Sequence, residues 1–394
     1  MMTKQSTSTV SLYNNLVCYN CKKEHNIEEV NGFCKSCSGP LSAQYKLHEG
    51  ISKDLIDKNR YDMWRYESFL PILERKNIVS LGEGFTKILP LDRLQSHYSL
   101  TKLSMKEEAS NPTGSFKARG MSAAVSKAKE LGISKFCTPT AGNAGSALAA
   151  YAAKAGLEAK IYIPKASPKT FIYDATIAGA EVHIVDGTIR DAGLQMTKEN
   201  DGTYFDVSTM KEPFRLEGKK TLGYEIAEQL NWILPDVIIY PTGGGTGLVG
   251  IWKAFNEMVT MGWIESIPTK MIAVQMEGCN PIMQAFKEGK RTINLYDNPT
   301  ELIANGLRVP KPFADTMVMD AIYQSNGCAV TVTESEMLEG MKEVASQEGL
   351  FLSPEGGAVF AAMKQLLADK FISPSDHVLL INTGSPYKYM ENLY

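Results

Sequence analysis

From about residue 81 onward, short apolar runs alternate with longer stretches in which apolar positions recur every three or four residues. The short runs predict strands over 136–138, 160–163, 181–185, 203–207, 237–240, 271–274, 329–332 and 377–381. The longer stretches predict helices over 116–131, 144–155, 216–230, 248–261, 334–348 and 355–368. Runs such as Val-Ile-Ile-Tyr at 237–240 are apolar on both faces, as expected of a parallel sheet covered by helices on both sides. The alternation gives an α/β class. Eight strands are too many for one small sheet, so two doubly wound parallel-sheet domains are expected. The smaller is placed at 118–215, and the larger is built from 51–117 and 216–394. The segment 289–315, with Pro299, Pro310 and Pro312, reads as a long irregular connection of the kind that often carries function.

The first fifty residues differ in kind. Residues 1–10 read as a frayed arm, and Cys18-x-x-Cys21, twelve residues, then Cys34-x-x-Cys37 form a small module. Two close thiolate pairs are the pattern of a tetrahedral zinc site, here zinc-ribbon-like and structural. A ribbon without metal and two disulfides are the alternatives. Cys137, Cys279 and Cys328 stand singly and read as core or near-site residues.

Composition narrows the partners. Lysine plus arginine (41) nearly balances aspartate plus glutamate (44), for a net charge of −3 over 394 residues. That balance argues against nucleic acid or an anionic membrane as the main partner. The content is 44% apolar and 22% charged, which indicates a sizeable core. The start of the chain is polar, without a signal-peptide core, and the most apolar stretch, Ala144 to Ala153, is cut by Lys154. A cytoplasmic enzyme is expected.

Four stretches can carry chemistry. In Asn111-Pro112-Thr113-Gly114-Ser115-Phe116-Lys117-Ala118-Arg119-Gly120, a turn runs into a helix with Lys117 in its first turn. The positive end of the helix dipole disfavours the charged amine there, and Schiff-base chemistry needs a neutral one. Thr140-Ala141-Gly142-Asn143 joins a strand to a helix, with small residues that let a ligand approach the backbone. Gly243-Gly244-Gly245-Thr246-Gly247, also between strand and helix, offers five backbone amides at a helix N-terminus, a cradle for phosphate. Gly245-x-Gly247-x-x-Gly250 formally matches a dinucleotide fingerprint. The acidic residue expected about 20 positions on is not well placed, and no Gly-Lys-Ser/Thr follows to make a nucleotide P-loop. Finally, the strand at 377–381 runs into Asn382-Thr383-Gly384, placing a hydroxyl where α/β ligand sites lie. A phosphorylated aldehyde with a ring nitrogen would use all four.

In that order, Ser-Phe-Lys-x-Arg-Gly, Gly-Asn, Gly-Gly-Gly-Thr-Gly and Thr-Gly resemble the tryptophan-synthase-β-like (fold type II) family of pyridoxal-phosphate enzymes, over about residues 80–390. The resemblance implies pyridoxal 5'-phosphate held through Lys117, Asn143 at its phenolic oxygen, Gly243, Gly244, Gly245, Thr246 and Gly247 around its phosphate, and Thr383 at its ring nitrogen. A neutral hydroxyl at that nitrogen favours elimination over transamination. Within the family, Met121, Arg215-Leu216-Glu217-Gly218 and Thr383-Gly384-x-x-x-Lys388 resemble the threonine-synthase branch, which acts on O-phosphohomoserine. That branch usually has Asp where Ala118 stands and Thr where Ala144 stands. Threonine or serine dehydratase is therefore the alternative. A phosphorylated substrate needs a second anion site, for which Thr140, Ala141, Arg190, Arg215, Lys219 and Lys220 are the candidates. A small amino-acid substrate and a homodimer complete what the resemblance implies.

Overall fold

The computed structural model describes residues 11–393. Strands β1 (Tyr13–Cys18), β2 (Glu24–His25) and β3 (Leu41–Tyr45) form an antiparallel sheet in the order β2-β1-β3. Tyr13, Leu16, Leu41 and Ala43 give it a core shared with Phe214, so the cysteine module is docked on the rest of the chain. The chain then lays down β4 (Ile88–Pro90) and β5 (Lys102–Glu107) and leaves to build a second sheet. That sheet consists of β6 (Lys135–Pro139), β7 (Glu158–Pro164), β8 (Glu181–Val185) and β9 (Phe205–Asp206), all parallel, in the order β8-β7-β6-β9. The chain returns with β10 (Val237–Pro241), β11 (Lys270–Met276), β12 (Cys328–Val332) and β13 (His377–Asn382). These join the earlier pair in a six-stranded sheet, β12-β11-β10-β13-β5-β4, parallel except at β4.

All eight expected strands are present, as are the six expected helices, and the class is α/β with parallel sheets, as expected. The run at 203–207 shrinks to two paired residues, Phe205–Asp206. Strand β5 escaped the sequence reading for a physical reason. Its sequence, Lys-Leu-Ser-Met-Lys-Glu, is polar, yet Ser104 and Lys106 are buried at the centre of the molecule. The Lys106 ammonium is satisfied there by the Thr86 carbonyl and Gln229 Oε1, each at 2.7 Å, with Glu225 at 3.7 Å.

Three helices hold the two large sheets together: Lys117–Glu130, Phe214–Gln229 and Thr246–Thr260. The middle one is buried without a break from Phe214 to Ala227. Its neighbours approach to backbone contact. A Cβ at Gly218 would overlap the Arg119 carbonyl, one at Gly120 would sit 2.9 Å from the Arg215 carbonyl, and one at Gly223 would sit 2.6 Å from Ala254 Cβ. Charge is buried in this seam and mostly paired. Arg119 donates from Nε to Glu108 Oε2 at 2.6 Å, from Nη2 to Glu108 Oε1 at 2.7 Å, and also to Glu225. Glu217 pairs with Lys220 at 2.9 Å and with Lys253.

Replacing one partner of such a pair leaves the others charged and uncompensated in a low-dielectric interior. Arg119→Met is therefore expected to cost about 3–5 kcal/mol, read as a lowered denaturation midpoint. An unchanged midpoint would contradict this account of the seam.

Candidate active site

A cavity of about 560 Å³ opens between the two large sheets. Its lining takes in Lys117, Thr140, Ala141, Asn143, all of Gly243 to Gly247, and Thr383. Strand ends and helix starts explain this convergence. Asn143 begins the helix after β6, Thr246 begins the helix after β10, and Thr383 follows β13. Lys117 begins its own helix and is stitched to the end of β13, because the Phe116 amide donates to the Thr383 carbonyl at 3.0 Å and Ser385 N to Gly114 O at 2.8 Å.

Lys117 is half-buried and its pKa is lowered to about 7. Burial is the main cause, and the nearby Arg215 guanidinium adds to it, while Glu355 acts in the opposite direction. The sequence pointed to the helix dipole, whereas desolvation and a cationic neighbour dominate here. The chemical consequence is the same: much of the amine is neutral near pH 7 and able to attack a carbonyl.

The glycine loop is a steric necessity. Gly245 adopts φ +77°, a Cβ at Gly247 would overlap the Tyr240 hydroxyl, and one at Gly243 would overlap the Gly306 carbonyl. Among the described residues, the amides of Gly243 to Gly247 donate to no carbonyl or side chain. Five unpartnered donors at a helix N-terminus fit a phosphate. The other groups fit the rest of a pyridoxal phosphate. Asn143 Oδ1 is buried without a partner, its Nδ2 donates to Tyr389 Oη at 3.1 Å, and the Thr383 hydroxyl faces the same cavity.

Glu355 was not foreseen. It stands on the first turn of the Pro354–Ala368 helix and lines the cavity. Its Oε1 accepts from Tyr389 Oη at 2.9 Å and from the Gly306 amide at 3.2 Å, while Oε2 is buried with no partner. Burial raises its pKa above the usual carboxylate range. The only sequence signal was an acidic residue in the first turn of an expected helix, which reads as ordinary dipole compensation.

The expected substrate cations divide. Arg190 is exposed and absent from the lining. Lys220 is tied to Glu217 and Glu257 and lies 3.6 Å from the centroid of the Tyr45 ring, in the seam and not in the cavity. Arg215 and Lys219 are buried behind the cavity wall. Arg215 gives Nη1 to the Val207 carbonyl at 2.5 Å and leaves Nε and Nη2 unpartnered. The cations that do line the cavity are Lys117, Lys211, Arg308 and Lys311. Two of them come from 305–313, part of the irregular connection. Asn305 Nδ2 also donates to the Ala141 carbonyl at 2.9 Å, so this segment bridges to the loop ahead of Asn143.

Away from the cavity, the sulfurs of Cys18, Cys21, Cys34 and Cys37 all lie within 4.8 Å of one another. Cys18 and Cys37 are 3.4 Å apart, and Cys21 and Cys34 are 3.6 Å apart. A tetrahedral site with metal–sulfur bonds of about 2.3 Å spaces its sulfurs by about 3.8 Å, so the four fit such a metal. No helix among the described residues is long and apolar enough to cross a membrane.

Residues 79–384 match the family described as pyridoxal-phosphate dependent enzyme. The chain is 35% identical over 377 residues to a threonine synthase of Methanocaldococcus jannaschii, covering 94% of this chain and 92% of that one. It is 34% identical to a threonine synthase of Methanosarcina acetivorans, over 94% and 91% of the two chains. Among solved structures it is similar to the processed threonine deaminase isoform 2 of Solanum lycopersicum, with TM-score 0.65, 19% identity, and 78% and 86% of the chains covered. It is also similar to maize serine racemase, with TM-score 0.65, 23% identity, and coverage of 78% and 93%. These two likenesses show the shared fold.

The lowered pKa of Lys117 has a kinetic signature. Condensation with an aldehyde probe, trapped by borohydride, is expected to speed up through about pH 7 and then level off. Arg215→Met removes a cation and should move that midpoint upward, slowing the reaction at pH 7. A wild-type midpoint in the ordinary lysine range would refute the assignment.

Proposed function

The chain belongs to the pyridoxal-phosphate dependent enzyme family, and we propose that within it the chain is a threonine synthase, a lyase converting O-phospho-L-homoserine and water to L-threonine and phosphate. The observation that carries this reading is the second group of cations in the cavity. Lys211, Arg308 and Lys311 line it in addition to Lys117 and the glycine cradle. A substrate with its own phosphate brings a dianion in addition to its carboxylate and calls for several cations, whereas an unphosphorylated hydroxyamino acid brings the carboxylate alone. Similarity to threonine synthases along nearly the whole chain supports the same substrate.

The bound cofactor supplies an electron-withdrawing ring that makes protons beside the substrate's amino carbon removable. The Gly243–Gly247 amides would hold the cofactor phosphate, Asn143 its phenolic oxygen and Thr383 its ring nitrogen. The Lys117 amine would remove the α-proton, and its near-neutral pKa suits it to return a proton later. Loss of a β-proton lets the γ-phosphate depart toward Lys211, Arg308 and Lys311, and water then adds at the β-carbon as protons return to the γ- and α-carbons. The Asn143–Tyr389–Glu355 chain fixes the Asn143 amide, with burial raising the Glu355 pKa above the usual carboxylate range.

The four cysteines hold a structural zinc, and the protein acts in threonine biosynthesis in the cytoplasm as a homodimer. The smaller domain is assigned to 118–215, with the cofactor in the cleft beside it.

The test is a product assay on the yellow purified protein. O-phosphohomoserine is expected to yield threonine and phosphate in equal amounts. A 2-oxo acid and ammonia from L-threonine or L-serine, with phosphohomoserine inert, would make it a dehydratase instead. For the metal, elemental analysis of protein prepared under reducing conditions is expected to find about one zinc per chain, lost in Cys34→Ser. A metal-free wild type with an unchanged melting temperature would reject zinc.

A further inference from the structure

Five charged residues of the Phe214–Gln229 helix are fully buried: Arg215, Glu217, Lys219, Lys220 and Glu225. Three of them have partners of opposite charge within the seam. Lys219 has none: no carboxylate of the described residues lies within ion-pair distance of it. Its Nζ makes one hydrogen bond, donated to Thr246 Oγ1 at 2.7 Å. The course of the side chain is fixed on the way. A Cβ at Gly120 would meet Lys219 Cε at 3.0 Å, and Nζ lies 5.0 Å from the centroid of the Phe116 ring. The stem thus runs past a glycine and an aromatic face and ends behind the phosphate cradle.

Thr246 is the first residue of its helix and lines the cavity. Its hydroxyl oxygen accepts from Lys219 and donates to nothing within the described residues, so its proton is free for a ligand. Uncompensated burial of an ammonium is costly, and an ion absent from the chain itself is the natural partner.

We propose that Lys219 is the buried counter-charge of the cofactor's phosphate, a positioning residue that acts through the Thr246 hydroxyl and takes up a proton when the phosphate is seated. This rests on the pyridoxal-phosphate reading of the cradle and moves Lys219 from the substrate's phosphate to the cofactor's. Burial and the neighbouring Lys117 and Arg215 push the pKa of the ligand-free amine well below the ordinary lysine range. Glu212, the one acidic group acting on it, has its own pKa raised to about 7 by burial, and its carboxylate accepts the Phe214 and Arg215 amides. A phosphate dianion supplies the missing negative charge. One proton comes from solvent to Nζ, the ammonium donates to Thr246 Oγ1, and the threonine proton turns to a phosphate oxygen.

The experiment compares pyridoxal 5'-phosphate with pyridoxal, which has the same aldehyde and ring but no phosphate, using the full chain stripped of cofactor. Binding is read from the visible band and by calorimetry. Lys219→Met is expected to weaken the phosphorylated form roughly 10- to 100-fold at pH 7 and to leave pyridoxal within about twofold. Thr246→Val should show the same selective loss, and the double variant should be no worse than either alone. Equal retention of the phosphorylated form by wild type and Lys219→Met would overturn the proposal. If Lys219→Met loses both aldehydes together, its scaffold is damaged and the wild type decides. Heats in two buffers of different ionisation enthalpy should give about one more proton taken up with the phosphorylated aldehyde than with pyridoxal; no difference would overturn it. A wild type that forms no visible band with either aldehyde would instead defeat the Lys117 reading.

Discussion

Everything at the cavity depends on one helix, Phe214–Gln229, being buried without a break from Phe214 to Ala227 although five residues of that stretch carry charge. Such a helix is tolerated only if its neighbours come close enough to satisfy it, and glycines at 120, 218 and 223 permit that approach. The two adjoining helices carry, at their first residues, Lys117 and Thr246. Fixing the packing of three rods therefore fixes the separation of the amine and the cradle, because rigid elements hold functional groups better than loops do.

Charge pairing in the seam is selective. Glu217 is matched by Lys220 and Lys253, and Glu225 by Arg119 and Lys106. Arg215 and Lys219, at the cavity side, are left without carboxylates at ion-pair distance, and the field of Arg215 falls on both Lys117 and Lys219. The same low-dielectric burial that makes the matched pairs rigid makes the unmatched cations responsive. The segment at 305–309 closes the arrangement from the opposite side. Asn305 reaches Ala141, the Gly306 amide reaches Glu355, and the Gly306 carbonyl lies against Gly243. One short stretch thus touches three walls of the cavity.

Much of this was legible in the residues alone. Strands apolar on both faces announced a parallel sheet, and the glycine loop and the amine-bearing helix start stood out because their composition is expensive without a ligand. What was hidden shares one property: polar groups whose partners are distant in sequence. Strand β5 looked like surface because Lys106 and Ser104 sit in it, and Glu355 looked like a helix-capping acid. Their burial is decided by contacts to Thr86, Gln229, Tyr389 and Gly306, which no local pattern encodes. The cations failed similarly. Lys220 was plausible by type and by motif, yet Glu217 and Glu257 claim it, while Arg308 and Lys311 enter the lining through an irregular segment without periodicity to read.

The six-stranded sheet keeps its ends and its middle far apart in time. β13, residues 377–382, lies between β10 and β5, so a central position is filled by the last of the described strands to be synthesised. At 5–20 residues per second, β5 waits about 15 to 55 s on the ribosome for that neighbour. β10 also waits, with Val237, Ile238 and Ile239 lacking their partners Val378, Leu379 and Leu380. A nascent chain with two open strand edges, the one at β10 apolar, is a hazard for aggregation. Yield on overproduction should thus be governed by how those edges are shielded during translation, well before the cofactor enters.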